Sequence, residues 1–319
     1  AANSIWGKSL REYFCVDISA DMNDLAAVLL RDGKQDGRPC MKGVFFRQFL
    51  PVSPMNKFDV IISSYSLMDL PSVQERINTL RTLWIKTEHF LVVIENGTNE
   101  GYKTVLEARD LILHGENYLK TNRRIRKLDA EQDEDELNKE SEQYSSNVDM
   151  KREFDKAVSM SMKMNDNWPV GHVYSPCSHD LPCPRLNDGT DTPCNYLQEY
   201  HPLKLSQMPK QVQKENFSYV VLRKGQRSKG CNEWPRLIRP VLVKSKHIHC
   251  HMCCHDGRIH HTVLTASKHG KDLYYCARYS KWGDQLPLSI LAETMNKSTQ
   301  ENDSTQHKQC TEPTTEEDW

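Results

Sequence analysis

The sequence predicts an α/β protein with a parallel sheet in its first part and a β-rich, cysteine-rich second part. Between residues 11 and 118, short apolar runs alternate with stretches of helical spacing, the pattern that builds a parallel sheet. After residue 168, prolines, cysteines and histidines cluster, and short strand-like runs follow. The length of 319 residues suits one large domain or two smaller ones.

The first part predicts strands and helices in alternation. The strands are expected at 13–17, 43–49, 58–63 and 89–95, and the helices at 20–32, 72–86 and 100–113, after the remainder of a helix at 6–11. Asp17 ends the first of these strands, where an acid can hydrogen-bond the ribose hydroxyls of a nucleotide. Asp17 is therefore the candidate cofactor-binding residue, and a turn or helix-capping role is the alternative.

The predicted sheet carries no convincing catalytic set. Many enzymes that methylate amino groups or bases have an Asn/Asp-Pro-Pro-aromatic segment after the fourth strand, and Ser63-Ser64-Tyr65-Ser66 stands at that place here. These residues offer hydroxyls without that geometry, although methyl transfer mainly needs alignment of donor and acceptor. No catalytic residue is therefore predicted.

Polar segments divide the chain into four predicted regions, 1–118, 119–167, 168–288 and 289–319. Residues 119–167 carry a basic run and then an acidic one, which is typical of a disordered insert, and residues 289–319 predict a disordered tail. No apolar run approaches the roughly 18 residues that span a membrane, and the net charge of −1 indicates no partner. Because the chain begins at Ala1 in the middle of a recognisable unit, we expect a fragment without its first strand and glycine loop.

Eleven cysteines are many for this length, and their clustering beside histidines favours metal binding. Cys177, Cys183 and Cys194 lie in a proline-rich segment, and one of Cys250, Cys253 and Cys254 is expected to complete a four-thiolate site. Cys253 is preferred because it begins a predicted turn, whereas Cys250 lies within a strand and Cys254 faces differently.

Four thiolates from two separate segments suit either tetrahedral zinc or a [4Fe–4S] cluster. Zinc sites usually come as paired C-x(2–4)-C knuckles, and the spacing from Cys177 through Cys183 to Cys194 is wider. The spacing favours the cluster, and zinc is the alternative. Six histidines between residues 247 and 261 are interpreted as polar surface that can meet phosphate when protonated, with zinc ligation as their alternative.

The second part predicts a loop region followed by strands that carry basic and aromatic residues. Residues 168–209 are expected to be dominated by loops that need an external group, such as a metal, to hold them together. Strands are expected at 217–222, 236–243, 246–250, 258–265 and 272–278, with a hairpin turn at 268–271. Lys and Arg contact phosphates and aromatic rings stack on bases, so this composition suits RNA. The candidate RNA-binding residues are Arg236, Arg239, Lys244, Lys246, Arg258, Lys268, Lys271, Arg278 and Lys281, with Tyr274, Tyr279 and Trp282.

Several segments, in order, resemble the signature of one family. They are Pro176-Cys177-x-His179-x-x-Pro182-Cys183-Pro184, then Cys194, then His249-Cys250-His-Met-Cys253-Cys254-x-Asp-Gly257, and Cys276-Ala-Arg-Tyr-Ser-Lys-Trp282-Gly283-Asp284. Ser4-Ile-Trp-Gly and Val93-Ile-Glu-Asn-Gly-Thr98 are similar too. Over about 1–115 and 168–288, the chain is similar to the mitochondrial branch of the small-ribosomal-subunit methyltransferase-like proteins.

The resemblance implies a partial Rossmann-like S-adenosylmethionine-dependent methyltransferase fold with a β-rich, iron–sulfur-containing C-terminal extension. It implies a [4Fe–4S] cluster on Cys177, Cys183, Cys194 and, by the turn motif, Cys253. It also implies a mitochondrial matrix protein that helps to assemble the small ribosomal subunit, has rRNA and ribosomal proteins as partners, and lacks methyltransferase activity. S-adenosyl-L-methionine is the candidate second ligand. The alternatives are an active S-adenosylmethionine-dependent rRNA methyltransferase and a zinc-stapled binding module.

Overall fold

The structure is a computed structural model that describes residues 2–50, 56–115, 168–202, 212–228 and 233–287. The predicted insert at 119–167 and the predicted tail at 289–319 lie outside the described residues. Internal contacts divide the chain into two units, Ala1–Lys57 and Phe58–Trp319. Among the helices that the structure describes, none combines the length and the apolar character that crossing a membrane requires.

The first unit is a small α/β arrangement. Its elements are α1 (Ala2–Trp6), a 3-10 turn (Gly7–Ser9), β1 (Tyr13–Val16), α2 (Ala20–Leu29) and β2 (Val44–Arg47). β1 and β2 pair in parallel, with Tyr13 opposite Val44, as the alternation of strands and helices predicts. Helix α2 ends at Leu29, before the predicted end at residue 32, because Asp32 and Gly33 both adopt positive φ and turn the chain out of the helix.

The second unit contains a mixed sheet built from strands before and after the predicted insert. Its strands are β3 (Phe58–Ser64), β4 (Thr87–Asn96), β5 (Gly171–Ser175), β6 (Tyr196–Tyr200) and β7 (Gln213–Lys224). The order is β3-β4-β7-β5, with β6 also paired to β7. β3 and β4 are parallel, and β7 runs antiparallel to each of its neighbours.

The buried centre of this sheet comes from the apolar runs that predict its strands. Leu91 lies opposite Leu222 and Val93 opposite Val220, and all four side chains are buried. On the other face of β4, Phe90, Val92 and Ile94 are half-buried, so the strand is apolar on both faces.

Helix α3 (Val73–Lys86) connects β3 to β4 and follows the predicted range closely. It begins at Ser72, whose Oγ accepts a hydrogen bond from the backbone N of Glu75 at 3.2 Å. The indole of Trp84 is fully buried, and its Nε1 donates to the carbonyl of Pro169 at 2.9 Å. A Cβ on Gly171 would lie 2.6 Å from the Trp84 ring, so only glycine allows this close approach.

A helix over residues 99–115, which we call α4, follows β4 and agrees with the predicted helix at 100–113. Its buried face carries Tyr102, Val105, Leu106 and Arg109 at helical spacing. Tyr102 and Leu106 pack against Cys183, with Cys194 at the edge of the same cluster.

The second sheet is centred on β10 and is packed against a short C-terminal helix. Its elements are β8 (Arg236–Leu237), β9 (Leu242–Val243), β10 (Ile248–Cys253), β11 (Ile259–Leu264), α5 (Ala266–His269) and α6 (Lys271–Tyr279). β10 pairs antiparallel with β8, β9 and β11. One face of β10 and the buried side of α6 share an apolar core.

Four sequence predictions for this half differ from the structure. Residues 272–278 form helix α6 and not a strand, because Leu273, Tyr274 and Ala277 bury one helical stripe against the second sheet. The turn predicted at 268–271 is accordingly the junction of two helices at Gly270, whose φ is 83°.

The predicted strand at 236–243 is divided into β8 and β9, with Pro240, which has no N–H for a ladder, between them. The segment 168–209, predicted as loops, contains β5 and β6, both paired to β7.

Candidate metal centre

Four cysteines from separate elements line one cavity in the second unit. Cys177 follows β5, Cys183 precedes the 3-10 turn Pro184–Asn187, Cys194 precedes β6, and Cys253 ends β10. Cys183 and Cys253 are buried, Cys177 and Cys194 are half-buried, and all four are free thiols. The structure thus brings together the four residues that the sequence predicts as ligands.

The pleat of β10 decides which cysteine of the second group reaches the cavity. Cys250 is fully buried in the apolar core on one face of the strand, together with Ile248 and Met252, and Cys254 packs against the same core. Cys253 faces the other way, as the period of two along a strand requires, and lines the cavity.

His179 belongs to the same site, although the sequence does not predict it as a ligand. Its Nε2 lies 3.3 Å from Cys253 Sγ, and the ligand atoms of Cys177, His179 and Cys253 all lie within 4.8 Å of one another. Its Nδ1 lies 3.2 Å from the carbonyl of Leu181, an acceptor, which assigns the ring proton to Nδ1 and a lone pair to Nε2. Burial, with a smaller repulsion from Arg109, lowers the pKa of His179 to about 4, so the imidazole is neutral near pH 7.

The thiols differ in how readily they ionise. A hydrogen bond with Cys253, helped by the charge of Arg109, lowers the pKa of Cys177 to about 7. Burial and then repulsion from Cys177 raise the pKa of Cys183 to about 11. Burial raises the pKa of Cys194, and the shared hydrogen bond raises that of Cys253. Four thiolates therefore need additional positive charge, which a metal ion or cluster supplies.

Unpaired donors around the cavity provide a test of whether an inorganic group fits. Arg109 Nε, Arg185 Nε and Ser178 Oγ are buried and have no hydrogen-bond partner among the described residues. An unsatisfied buried donor costs about 1–3 kcal/mol. Arg185 lines the cavity and Ser178 is next to Cys177. A group with sulfide and thiolate acceptors suits such donors, so the residues present fit a metal–sulfur centre.

The loop that carries Cys177 and Cys183 is held by half-buried charged side chains. Asp180 accepts hydrogen bonds from the backbone N of Val173 at 2.8 Å and from Arg227 at 2.9 and 3.0 Å. Arg236 donates to the carbonyls of Pro176 and Gly283. These contacts fix backbone that has little apolar surface of its own.

Contacts from α4 and β7 hold Cys183 and Cys194. Tyr102 Oη donates to Cys183 Sγ at 3.3 Å, and Arg109 donates to the carbonyl of Leu181. Ser218 Oγ in β7 donates to the carbonyl of Cys194 at 2.9 Å. Helix α4 therefore belongs to the site, which the sequence analysis missed. The signal was available, because Arg109 interrupts an otherwise apolar helical stripe.

The structure places Asp17 directly after β1, in the first unit. Its Oδ1 accepts from the backbone N of Ser19 at 2.8 Å, and its carbonyl accepts from Asn23 Nδ2 at 2.8 Å. These bonds belong to the turn that starts α2, so the capping alternative has direct support. A contact between Asp17 and a cofactor stays a prediction.

The segment at the end of β3 is held by a buried carboxyl group. Ser63 Oγ and Ser66 Oγ lie 2.8 Å apart, and Glu95 Oε1 accepts from the backbone N of Leu67 at 2.9 Å. Burial raises the pKa of Glu95 despite these backbone hydrogen bonds. These contacts show how this loop is fixed.

The comparison with protein families defines the class of this chain. The family described as "Mitochondrial small ribosomal subunit Rsm22" matches residues 1–123 and 167–287. The chain therefore belongs to this family, and the interval that the match omits contains most of the predicted insert. The mixed α/β architecture is consistent with that membership, and the family resemblance found in the sequence is confirmed.

Individual proteins similar to this chain are consistent with the family match. The human "Ribosome assembly protein METTL17, mitochondrial" is 43% identical over 288 residues, which cover 90% of this chain and 52% of the relative. "Rsm22-cox11 tandem protein 1, mitochondrial" and "Rsm22-cox11 tandem protein 2, mitochondrial" of Schizosaccharomyces pombe are each 24% identical over 284 residues, 78% of this chain and 32% of each relative. The chain spans about half the length of the human relative.

Proposed function

We propose that the chain is part of an assembly factor for the mitochondrial small ribosomal subunit that works in the matrix, and that its cysteine cavity holds a [4Fe–4S] cluster. The convergence of Cys177, Cys183, Cys194 and Cys253 carries this proposal. The family description names the mitochondrial small ribosomal subunit, and the name of the human relative supplies ribosome assembly.

The four thiolates would hold the cluster, and buried donors around them would meet its sulfurs. The cluster would supply iron–thiolate bonds that join the β5 loop, the start of β6 and the end of β10. We assign it a structural role, because it would join segments that belong to different sheets and to the loops between them. A zinc ion is the second candidate, and the neutral Nε2 of His179 beside two thiols favours it.

Metal analysis of protein purified without oxygen tests the centre. We expect iron and acid-labile sulfide in equal amounts, with visible sulfur-to-iron charge-transfer absorption that is lost on exposure to a chelator and oxidant. If the protein contains zinc and no sulfide, the result would support a zinc site and contradict the iron–sulfur cluster. Absence of both would contradict the proposed centre.

Exposed aromatic residues on α6 support rRNA as the ligand. Tyr275 and Tyr279 lie on the outer face, with rings stacked at 17° and centroids 6.5 Å apart. Lys271 and Lys281 are exposed near the two ends of this helix. Aromatic side chains that stack on bases beside lysines that meet phosphates are typical of single-stranded RNA sites.

The structure changes the set of RNA-binding candidates. Tyr274 is buried in the core of the second sheet, and Arg236 is occupied with backbone carbonyls, so neither is available at the surface. Trp282 packs near Tyr196, with ring centroids 6.3 Å apart. Tyr275, which the sequence analysis omitted, takes their place beside Tyr279.

Replacing both exposed tyrosines is expected to weaken RNA binding without affecting folding. Each base that stacks on an aromatic ring contributes about 1–3 kcal/mol. The Tyr275→Ala/Tyr279→Ala variant should therefore bind mitochondrial small-subunit rRNA at least about tenfold more weakly in a filter-binding assay. Tyr200→Ala is the matched control, because this exposed tyrosine lies on β6 and bonds Gln213.

Equal loss of affinity in the control, or none in the double variant, would contradict the proposed RNA surface. Labelled S-adenosylmethionine added to the same complex distinguishes the remaining alternative. Transfer of label to the RNA would replace the non-catalytic proposal by an active rRNA methyltransferase.

A further inference from the structure

A second set of metal-type ligands lies in the turn between β10 and β11. Cys254 Sγ, a carboxylate oxygen of Asp256 and a ring nitrogen of His260 all lie within 4.8 Å of one another. The side chains of Asp256 and His260 are each 37% exposed, so solvent reaches the cluster. Sulfur, nitrogen and oxygen donors therefore meet at one accessible point.

The geometry of the turn produces this meeting. The backbone N of Cys254 donates to the carbonyl of Arg258 at 3.0 Å, and Gly257, with φ of 74°, lets the chain reverse. Asp256 Oδ1 accepts from the backbone N of Arg258 at 3.0 Å. Its other oxygen, Oδ2, lies 2.7 Å from His260 Nε2. One carboxylate oxygen thus shapes the turn, and the other points to the imidazole.

The set is separate from the cavity described above. Cys254 packs against the apolar core on the face of β10 that also buries Cys250, whereas Cys253 lines the cavity on the opposite side. The two adjacent cysteines at the end of β10 therefore belong to two different sites: Cys253 to the cavity, and Cys254 to the second set of ligands.

We propose that Cys254, Asp256 and His260 bind a zinc ion, with water in the fourth position. Zinc accepts this mixture of thiolate, carboxylate and imidazole, with bonds of about 2.0–2.3 Å. Ligand atoms around such a tetrahedral ion lie roughly 3.3–3.8 Å apart, so the observed cluster needs only a small adjustment. The ion takes the place of the proton between His260 and Asp256, and the thiol releases its proton to water.

The ion has a mechanical consequence for the first centre. It ties the end of β10 to the turn and to the second residue of β11, and so closes the hairpin that positions Cys253. Without the ion, the strand pairing of β10 and β11, the turn hydrogen bonds and the pair of Asp256 and His260 hold this corner.

Zinc binding to tag-free protein, purified without oxygen and with its first centre intact, tests the site. Equilibrium dialysis should show one zinc ion bound per chain. Asp256→Asn and His260→Gln should each lower the affinity for this ion by more than about tenfold, which is the lower end of the loss seen even for groups that only support a ligand. Asp256→Asn keeps an oxygen that can accept from Arg258, so the turn is preserved. His261→Gln is the matched control, because His261 is the next residue and stacks on His251 on the other face.

Iron and sulfide analysis of each variant separates this site from the first centre. Unchanged iron with lost zinc supports the proposal. If the first centre itself holds zinc, the wild type should bind two ions and the Asp256→Asn variant one. Absence of this zinc in the wild type, or its loss only in His261→Gln, would overturn the assignment.

Discussion

The Cys253→Ala variant is expected to lose the metal centre, whereas Cys250→Ala is expected to retain it. Both substitutions remove one buried sulfur from β10. Cys253 faces the cavity, and Cys250 faces the apolar core. Deleting Cys250 Sγ costs about 1 kcal/mol, as for other single buried atoms. Loss of a structural metal removes a much larger share of the folding free energy, on the order of 10 kcal/mol in small metal domains.

Metal analysis and limited proteolysis of the two variants check this prediction. We expect Cys253→Ala to contain little iron or zinc and to be cleaved rapidly between residues 176 and 195, and Cys250→Ala to resemble the wild type. Equal metal content in both variants would show that Cys253 is not a ligand. Loss of metal from both would point to general destabilisation of β10, and a Cys177→Ser variant then distinguishes ligand loss from strand damage.

Replacing Arg109 with methionine is expected to destabilise the second unit by about 3–5 kcal/mol, the cost of breaking a buried ion pair on one side. Arg109 is 2% exposed, and its Nη1 donates to Asp110 Oδ1 at 2.7 Å. Burial alone would lower the pKa of Arg109, but the charges of Cys177 and Asp110 outweigh it and raise the pKa above its usual range. The variant leaves Asp110 buried without its cation and frees the carbonyl of Leu181.

Urea unfolding measures the free energy of unfolding of the Arg109→Met variant. Two further variants show how much of its loss comes from the buried charges. Arg109→Met/Asp110→Asn removes both charges and should recover part of the lost stability. Arg76→Met is the comparison at a more exposed ion pair, because the side chains of Arg76 and Glu107, 3.3 Å apart, are 19% and 30% exposed and such a pair contributes about 1 kcal/mol or less. Similar destabilisation by Arg76→Met and Arg109→Met would mean that burial does not set the cost.

The sequence predicts much of the fold because local patterns and tertiary packing agree there. The apolar run of β4 and the capping serine of α3 are local signals, and these two predicted elements lie within two residues of the observed ones. The cysteines of the cavity were also predictable, since cysteines clustered among prolines and histidines have few other roles. Cys253 was preferred because it begins a predicted turn, and in the structure the alternation of side chains along β10 places it on the cavity face.

Other features depend on contacts between distant residues. Helix α6 was mistaken for a strand because its tyrosines and cysteine favour strands locally, and only the core formed with β10 selects the helical period. Arg109 and His179 approach the cysteines of the cavity from different elements, and no spacing in the sequence relates them to Cys253. Pairing of β7 with β4 likewise joins segments that are remote in sequence.

That pairing also has a consequence for the order of events during synthesis. β3 and β4 emerge early, yet the strand that completes their hydrogen bonding, β7, emerges only after Cys177, Cys183 and Cys194. Until then, the main chain of β4 presents an open edge to any other extended peptide nearby. During synthesis the nascent chain is thus prone to aggregate through this unpaired edge. A chaperone that covers the edge would prevent such pairing until β7 has been synthesised.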